Sequence, residues 1–142
     1  MSKHELSSSD REFRVAFEAG AYAPADFSHR AHVQLAYVYL AENHRDLALE
    51  RYRAALVGFL AHHGIPAGKY HETLTRSWIL AVHHFMHRSP EAASADDFIE
   101  RNPLLLDSKI MLTHYSAGLL FSDAARADFV EPDLDPIPRH AA

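Results

Sequence analysis

Apolar positions along this chain recur three and four residues apart and almost nowhere alternate with polar ones, which is the pattern of helices that each bury one face. Ser9-Asp10-Arg11-Glu12 resembles a capping start, and Phe13, Ala16 and Phe17 follow on one face of a first helix. The stretch from Gly20 to Ala25, with Pro24, breaks it. Ser28 is a good N-cap for a second helix, with Phe27 before it placed to staple against His32 or Val33. From Ala31 to Ala41 its only strongly polar side chains are His32 and Gln34. A helix apolar nearly all round is surrounded by other elements, so this one is predicted to run through the core of a bundle.

A third helix is predicted from Asp46 to His63, with Leu49, Tyr52, Leu56, Phe59 and Leu60 inward and Glu50, Arg51 and Arg53 in water. Gly64 follows as its C′ residue and Pro66 stops the chain from continuing. A fourth runs from about Tyr70 to Arg88 and buries Leu74, Trp78, Ala81, Val82 and Phe85. Ser94-Ala95-Asp96-Asp97 starts a shorter helix that ends near Asn102-Pro103, and Leu104 to Phe129 holds one or two more. Pro132, Pro136 and Pro138 leave an irregular tail from about residue 130. The expected architecture is an all-α, compact single-domain bundle of about five to seven helices spanning residues 1–142.

Composition narrows the function classes. A net charge of -5 and no Lys/Arg-rich run argue against nucleic acid as a partner. The absence of cysteine removes disulfides, thiolate zinc sites and cysteine nucleophiles together. Met1-Ser2-Lys3-His4-Glu5 is polar, and no apolar run reaches membrane-spanning length, so the expectation is a bacterial-type cytoplasmic protein with no membrane contact. There is no Gly-x-Ser-x-Gly elbow and no glycine-rich phosphate loop.

The unusual number is the 12 histidines. Two groups stand at predicted helix starts: Phe27-Ser28-His29-Arg30-Ala31-His32 and Tyr70-His71-Glu72-Thr73-Leu74-Thr75. His29 and His32, at i and i+3, are neighbours on one helical face, about 5–6 Å apart at Cβ. The partial positive charge of a helix start disfavours imidazolium and so favours the neutral imidazole that a divalent metal binds. His71 shares a face with Leu74, Thr75, Trp78 and Val82, whereas Glu72 lies about a hundred degrees round the helix and reaches the same place only from the side. If the second and fourth helices begin at one end of the bundle, His29, His32 and His71 converge as a three-histidine metal site with open positions, the catalytic kind. Glu72 is then the candidate fourth ligand or general base, and His114 an assisting acid or ligand. Such a donor set suits iron, manganese or zinc. His83 and His87 share a face at metal spacing but sit near a helix end beside Arg88 and are read as surface, as are His62 and His63. His4, His44 and His140 are read as peripheral.

The phrases Phe27-Ser-His-Arg-Ala-His-Val-Gln-Leu-Ala-Tyr-Val-Tyr-Leu40 and Tyr70-His-Glu-Thr-Leu-Thr75, with Asn102-Pro-Leu-Leu-Leu106, resemble a family of small bacterial helical proteins, a likeness that implies no particular chemistry. A weaker, architectural likeness is to DinB-type helical bundles, which implies a single metal held by three histidines, although the histidine spacing there differs. Ala36-Tyr37-x-Tyr39-Leu40 and Ala48-Leu49-x-x-Tyr52-x-x-Ala55-Leu56 resemble one tetratricopeptide helix pair, where at least three are normally needed. The expected function is therefore a metal-dependent enzyme, hydrolase or oxidoreductase, acting on a small-molecule substrate. The alternatives are a helical scaffold or peptide-binding module, and a metal-free small-molecule-binding protein that uses its histidines for hydrogen bonding. Neither the substrate nor the oligomeric state is legible.

Overall fold

The computed structural model describes residues 3–141, and within them the chain is helical with no strand. Seven α-helices are present among the described residues: α1 (Ser8–Glu18), α2 (His29–Glu42), α3 (Arg45–His62), α4 (Glu72–Arg88), α5 (Ala95–Arg101), α6 (Ala117–Leu120) and α7 (Asp123–Ala127). Met1 and Ser2, read above as part of a polar start, lie outside the described residues. No helix among the described residues is long and apolar enough to cross a membrane.

The helix ends follow from short-range chemistry. Ser7 and Asp10 form a reciprocal capping box at the start of α1, the Asp10 amide donating to Ser7 Oγ at 3.1 Å and the Ser7 amide to Asp10 Oδ2 at 3.0 Å. Ser28, Ser94, Ser116 and Ser122 cap α2, α5, α6 and α7 through their hydroxyls. α1 and α3 both end in a left-handed glycine, Gly20 at φ +74° and Gly64 at φ +66°. In each case the next amide reaches back over the last turn, Ala21 to the Ala16 carbonyl and Ile65 to that of Leu60, both at 2.9 Å.

α2 is central, as its composition predicts. Val33, Leu35 and the whole run Ala36–Leu40 are buried against α1, α3, α4 and α5. On α3 the inward stripe is Ala48, Tyr52, Leu56 and Phe59, with Leu49 and Leu60 half-buried. α4 differs from expectation. Its buried residues include Thr73, Thr75 and Ser77, while Leu74, Trp78 and Phe85 are only half-buried. The reason is that α4 is covered on two sides. One side joins α2 and α3 in the main core; Leu80 and Ala81 on the other pack with Met111, Tyr115, Leu120 and Ile137 in a second cluster. The buried hydroxyls are tolerated because each is bonded: Thr73 to the Asp128 carbonyl at 2.9 Å, Thr75 to that of His71 at 2.8 Å, and Ser77 to the Tyr115 hydroxyl at 3.3 Å.

From residue 128 to 141 there is no regular secondary structure, but this segment is firmly seated. The Leu134 amide donates to the His114 carbonyl at 2.9 Å, the Tyr115 hydroxyl to the Val130 carbonyl at 2.7 Å, and Ile137 is buried.

Candidate functional site

α2 and α4 run side by side in the same direction. His29 packs edge-on against Trp78 at 4.6 Å, and Tyr37 meets His4, whose Nε2–H donates to the Met86 carbonyl at 2.8 Å. Trp78 stands seven residues beyond His71, roughly 10 Å along the helix axis. His29 thus meets α4 at Trp78, and no hydrogen bond or ring contact joins His29 or His32 to His71 among the described residues.

Each imidazole is instead engaged locally. His29 Nε2–H donates to the Leu105 carbonyl at 2.9 Å. His32 Nδ1–H donates to the Ser28 carbonyl at 2.9 Å, and its ring stacks on Phe27 at 3.8 Å, the staple the sequence offered. Burial lowers the His32 pKa, partly opposed by that carbonyl. His71 uses both nitrogens. As the N-cap of α4 its Nδ1 accepts from the Leu74 amide at 3.1 Å, and Nε2–H donates to the Leu120 carbonyl at 2.7 Å. The neutral Nε2–H tautomer is thus fixed, and burial, with Arg126 nearby, lowers the His71 pKa against the pull of the Leu120 carbonyl. No nitrogen of His71 is left for a ligand without breaking one of these bonds.

Glu72 faces a different way. Arg53 grips it through two bonds, at 2.8 and 2.5 Å, and the Tyr70 hydroxyl donates to it at 2.6 Å. Burial pushes its carboxyl up, but Arg53 and Tyr70 together hold it below the ordinary range, so it is a committed carboxylate rather than a poised base. The Tyr70 hydroxyl, desolvated and bonded to that carboxylate, is pushed up to about 12. His114 is half-buried, and its Nδ1–H donates to the Asp135 carbonyl at 2.7 Å, which seats the segment after α7. No group of three or more histidine, aspartate or glutamate side chains positioned to hold a metal ion occurs among the described residues.

The histidines read as peripheral are the ones that gather. His4 is buried, with Nδ1 accepting from the Ala92 amide at 3.2 Å. His44 is the N-cap of α3. His83 is half-buried, and His140 returns from the far end of the chain to stack on His87 at 4.2 Å and His84 at 5.1 Å. His4, His44, His83 and His87 line a cavity of about 520 Å³ between the end of α2, the second half of α4 and residues 3–4. Leu40, Ala41 and Met86 give its apolar wall; Asn43, Ser89, His44, His83 and His87 give polar ones, and Lys3, Glu42 and Glu91 bring charge of both signs. Burial, then His87 and Arg45, pushes His83 down to about 4, so at neutral pH it stands as a neutral imidazole able to donate and accept.

His83 and His87, read as surface despite their i, i+4 spacing, border this cavity; the arrival of His140 beside them was not legible, because it depends on the path of a proline-rich segment with no period. Comparison of the chain with known protein families, curated proteins and solved structures finds no match.

Proposed function

We propose that this is a small-molecule-binding protein whose ligand occupies the cavity beside His83 and His87, with the histidines acting as hydrogen-bond partners rather than as metal ligands. The observation that carries this reading is the cavity itself. Its volume of about 520 Å³ falls within the roughly 300–1,000 Å³ of typical ligand sites, and it joins an apolar wall to a few polar groups. A metal-dependent enzyme built on His29, His32 and His71 finds less support, because His71 has both nitrogens bonded and no group of three side chains positioned to hold a metal ion occurs among the described residues. The mixed lining favours an uncharged or zwitterionic molecule with both donors and acceptors over a strongly charged one.

A fragment panel followed by two-dimensional NMR tests it. Binding should move the signals of Asn43, His83 and Ser89, and Ala41→Trp, which fills the cavity, should abolish those shifts while the remaining spectrum stays folded. Shifts confined to other surfaces would overturn the reading. Metal analysis of untagged protein by mass spectrometry guards the rival: near-stoichiometric iron, manganese or zinc that disappears in His29→Ala and His71→Ala would restore the metal site.

A further inference from the structure

We propose that the segment Ile137–Ala141 is an acid-released strap, held against α3 and α4 at neutral pH through an imidazole-to-imidazole hydrogen bond and let go when those rings take up protons. His84 Nδ1 lies 2.8 Å from His140 Nε2. A bond at that distance needs one ring to present N–H and the other a bare nitrogen, so at least one must be neutral. Once both are imidazolium, both present N–H, and the attraction becomes a like-charge contact.

The surroundings sharpen this response. The His140 ring stacks nearly parallel to His84 and to His87, at 12° and 9°, and lies 6.1 Å from His83, so the three imidazoles of α4 gather around the His140 ring. α4 adds Arg88, which stands close enough to His84 to oppose its protonation. From α3, Arg45 Nη1–H donates to the His140 carbonyl at 2.6 Å. The strap's own Arg139 is turned away, paired with Glu131 at 3.0 Å. The carboxylate of Asp46 is the anion that favours a charged His83, and it is already 3.2 Å from Arg45. Cations therefore outnumber anions as the pH falls.

Burial lowers the pKa of His84 as it does that of His83. The docked form thus favours neutral rings, and the released form binds more protons below the free imidazole value of about 6.5. Strap docking is fully supported above that value and weakens as the pH falls from it toward about 4, where His83 titrates in place. Ala141 forms part of the cavity wall, so release also widens the cavity mouth. The strap itself needs no ligand, and it stands whether or not the cavity binds one.

Heteronuclear NOE and histidine side-chain shifts of the full chain, followed from about pH 7.5 to about pH 4.5, test the proposal across the imidazole range. The expected result is that the amides of Ile137, Arg139, His140 and Ala141 become mobile with a midpoint shared by the His84 titration, while α1–α5 remain ordered. In His140→Phe that midpoint should vanish, with the strap docked throughout or mobile throughout. A strap that stays rigid to the lowest pH, that loosens only as the whole molecule unfolds, or that keeps its wild-type midpoint in His140→Phe would overturn the proposal.

Discussion

His71 shows how a residue type that suggests chemistry serves structure. Its ring caps α4 with one nitrogen and ties the α6 carbonyl of Leu120 with the other, bridging two elements. His71→Ala removes the cap and leaves a buried carbonyl without its donor, so it should cost about 2 kcal/mol in urea unfolding, with or without added metal. The pH dependence carries a sign. Because the folded pKa lies below the free value of about 6.5, the unfolded chain binds more protons in acid. Wild-type stability from this residue is complete above that value and declines as the pH drops through it, a slope His71→Ala should flatten. The ring's role was hidden because imidazole is not among the favoured N-cap side chains. Ser7, Ser28, Ser94, Ser116 and Ser122 are favoured, and of these Ser28 and Ser94 mark helix starts in the sequence itself.

Among the elements, two glycines make opposite predictions. Gly20 ends α1 at φ +74°, and a Cβ there would meet the His62 ring of α3, an exposed side chain that can turn aside. Gly20→Ala should destabilise by about 1–2 kcal/mol through the left-handed backbone alone, and adding His62→Ala should recover little of it. Gly58 sits inside α3 with open space around it, and Gly58→Ala should stabilise by about 0.5–1 kcal/mol. Thermal unfolding of the two variants separates conformational strain from helix propensity. α2 and α3 were legible as elements because their apolar stripes have the helical period, although α3 starts one residue early, at Arg45. α4 was legible in extent but not in orientation. Thr73 and Ser77 read as surface in any apolar pattern, and only their tertiary partners Asp128 and Tyr115 explain their burial.

At the scale of the whole molecule, the stability of the second cluster rests on a residue far along the chain. Ile137 is buried against Leu80 and Ala81 although the segment around it forms no helix. Ile137→Ala should cost about 2 kcal/mol, toward the low end for such a change because an extended segment can settle into the gap. An unchanged denaturation midpoint would show that the segment adds no packing energy. The candidate metal cluster depends on where α2 sits along α4, which is set by packing between elements and is not encoded by periodicity within each element.

The two-sided cover of α4 also bears on how the molecule is made. During synthesis, α4 can dock on α2 and α3 as soon as it emerges, but its second face waits for Met111, Tyr115 and Leu120 and is closed last by Ile137. The interval from Ala81 to Ile137 corresponds to about 3–11 s at ordinary translation rates of roughly 5–20 residues per second. For that time Leu80 and Ala81 stay incompletely covered on the nascent chain, which makes this strip the place for a chaperone to hold and the first surface to self-associate when synthesis stalls.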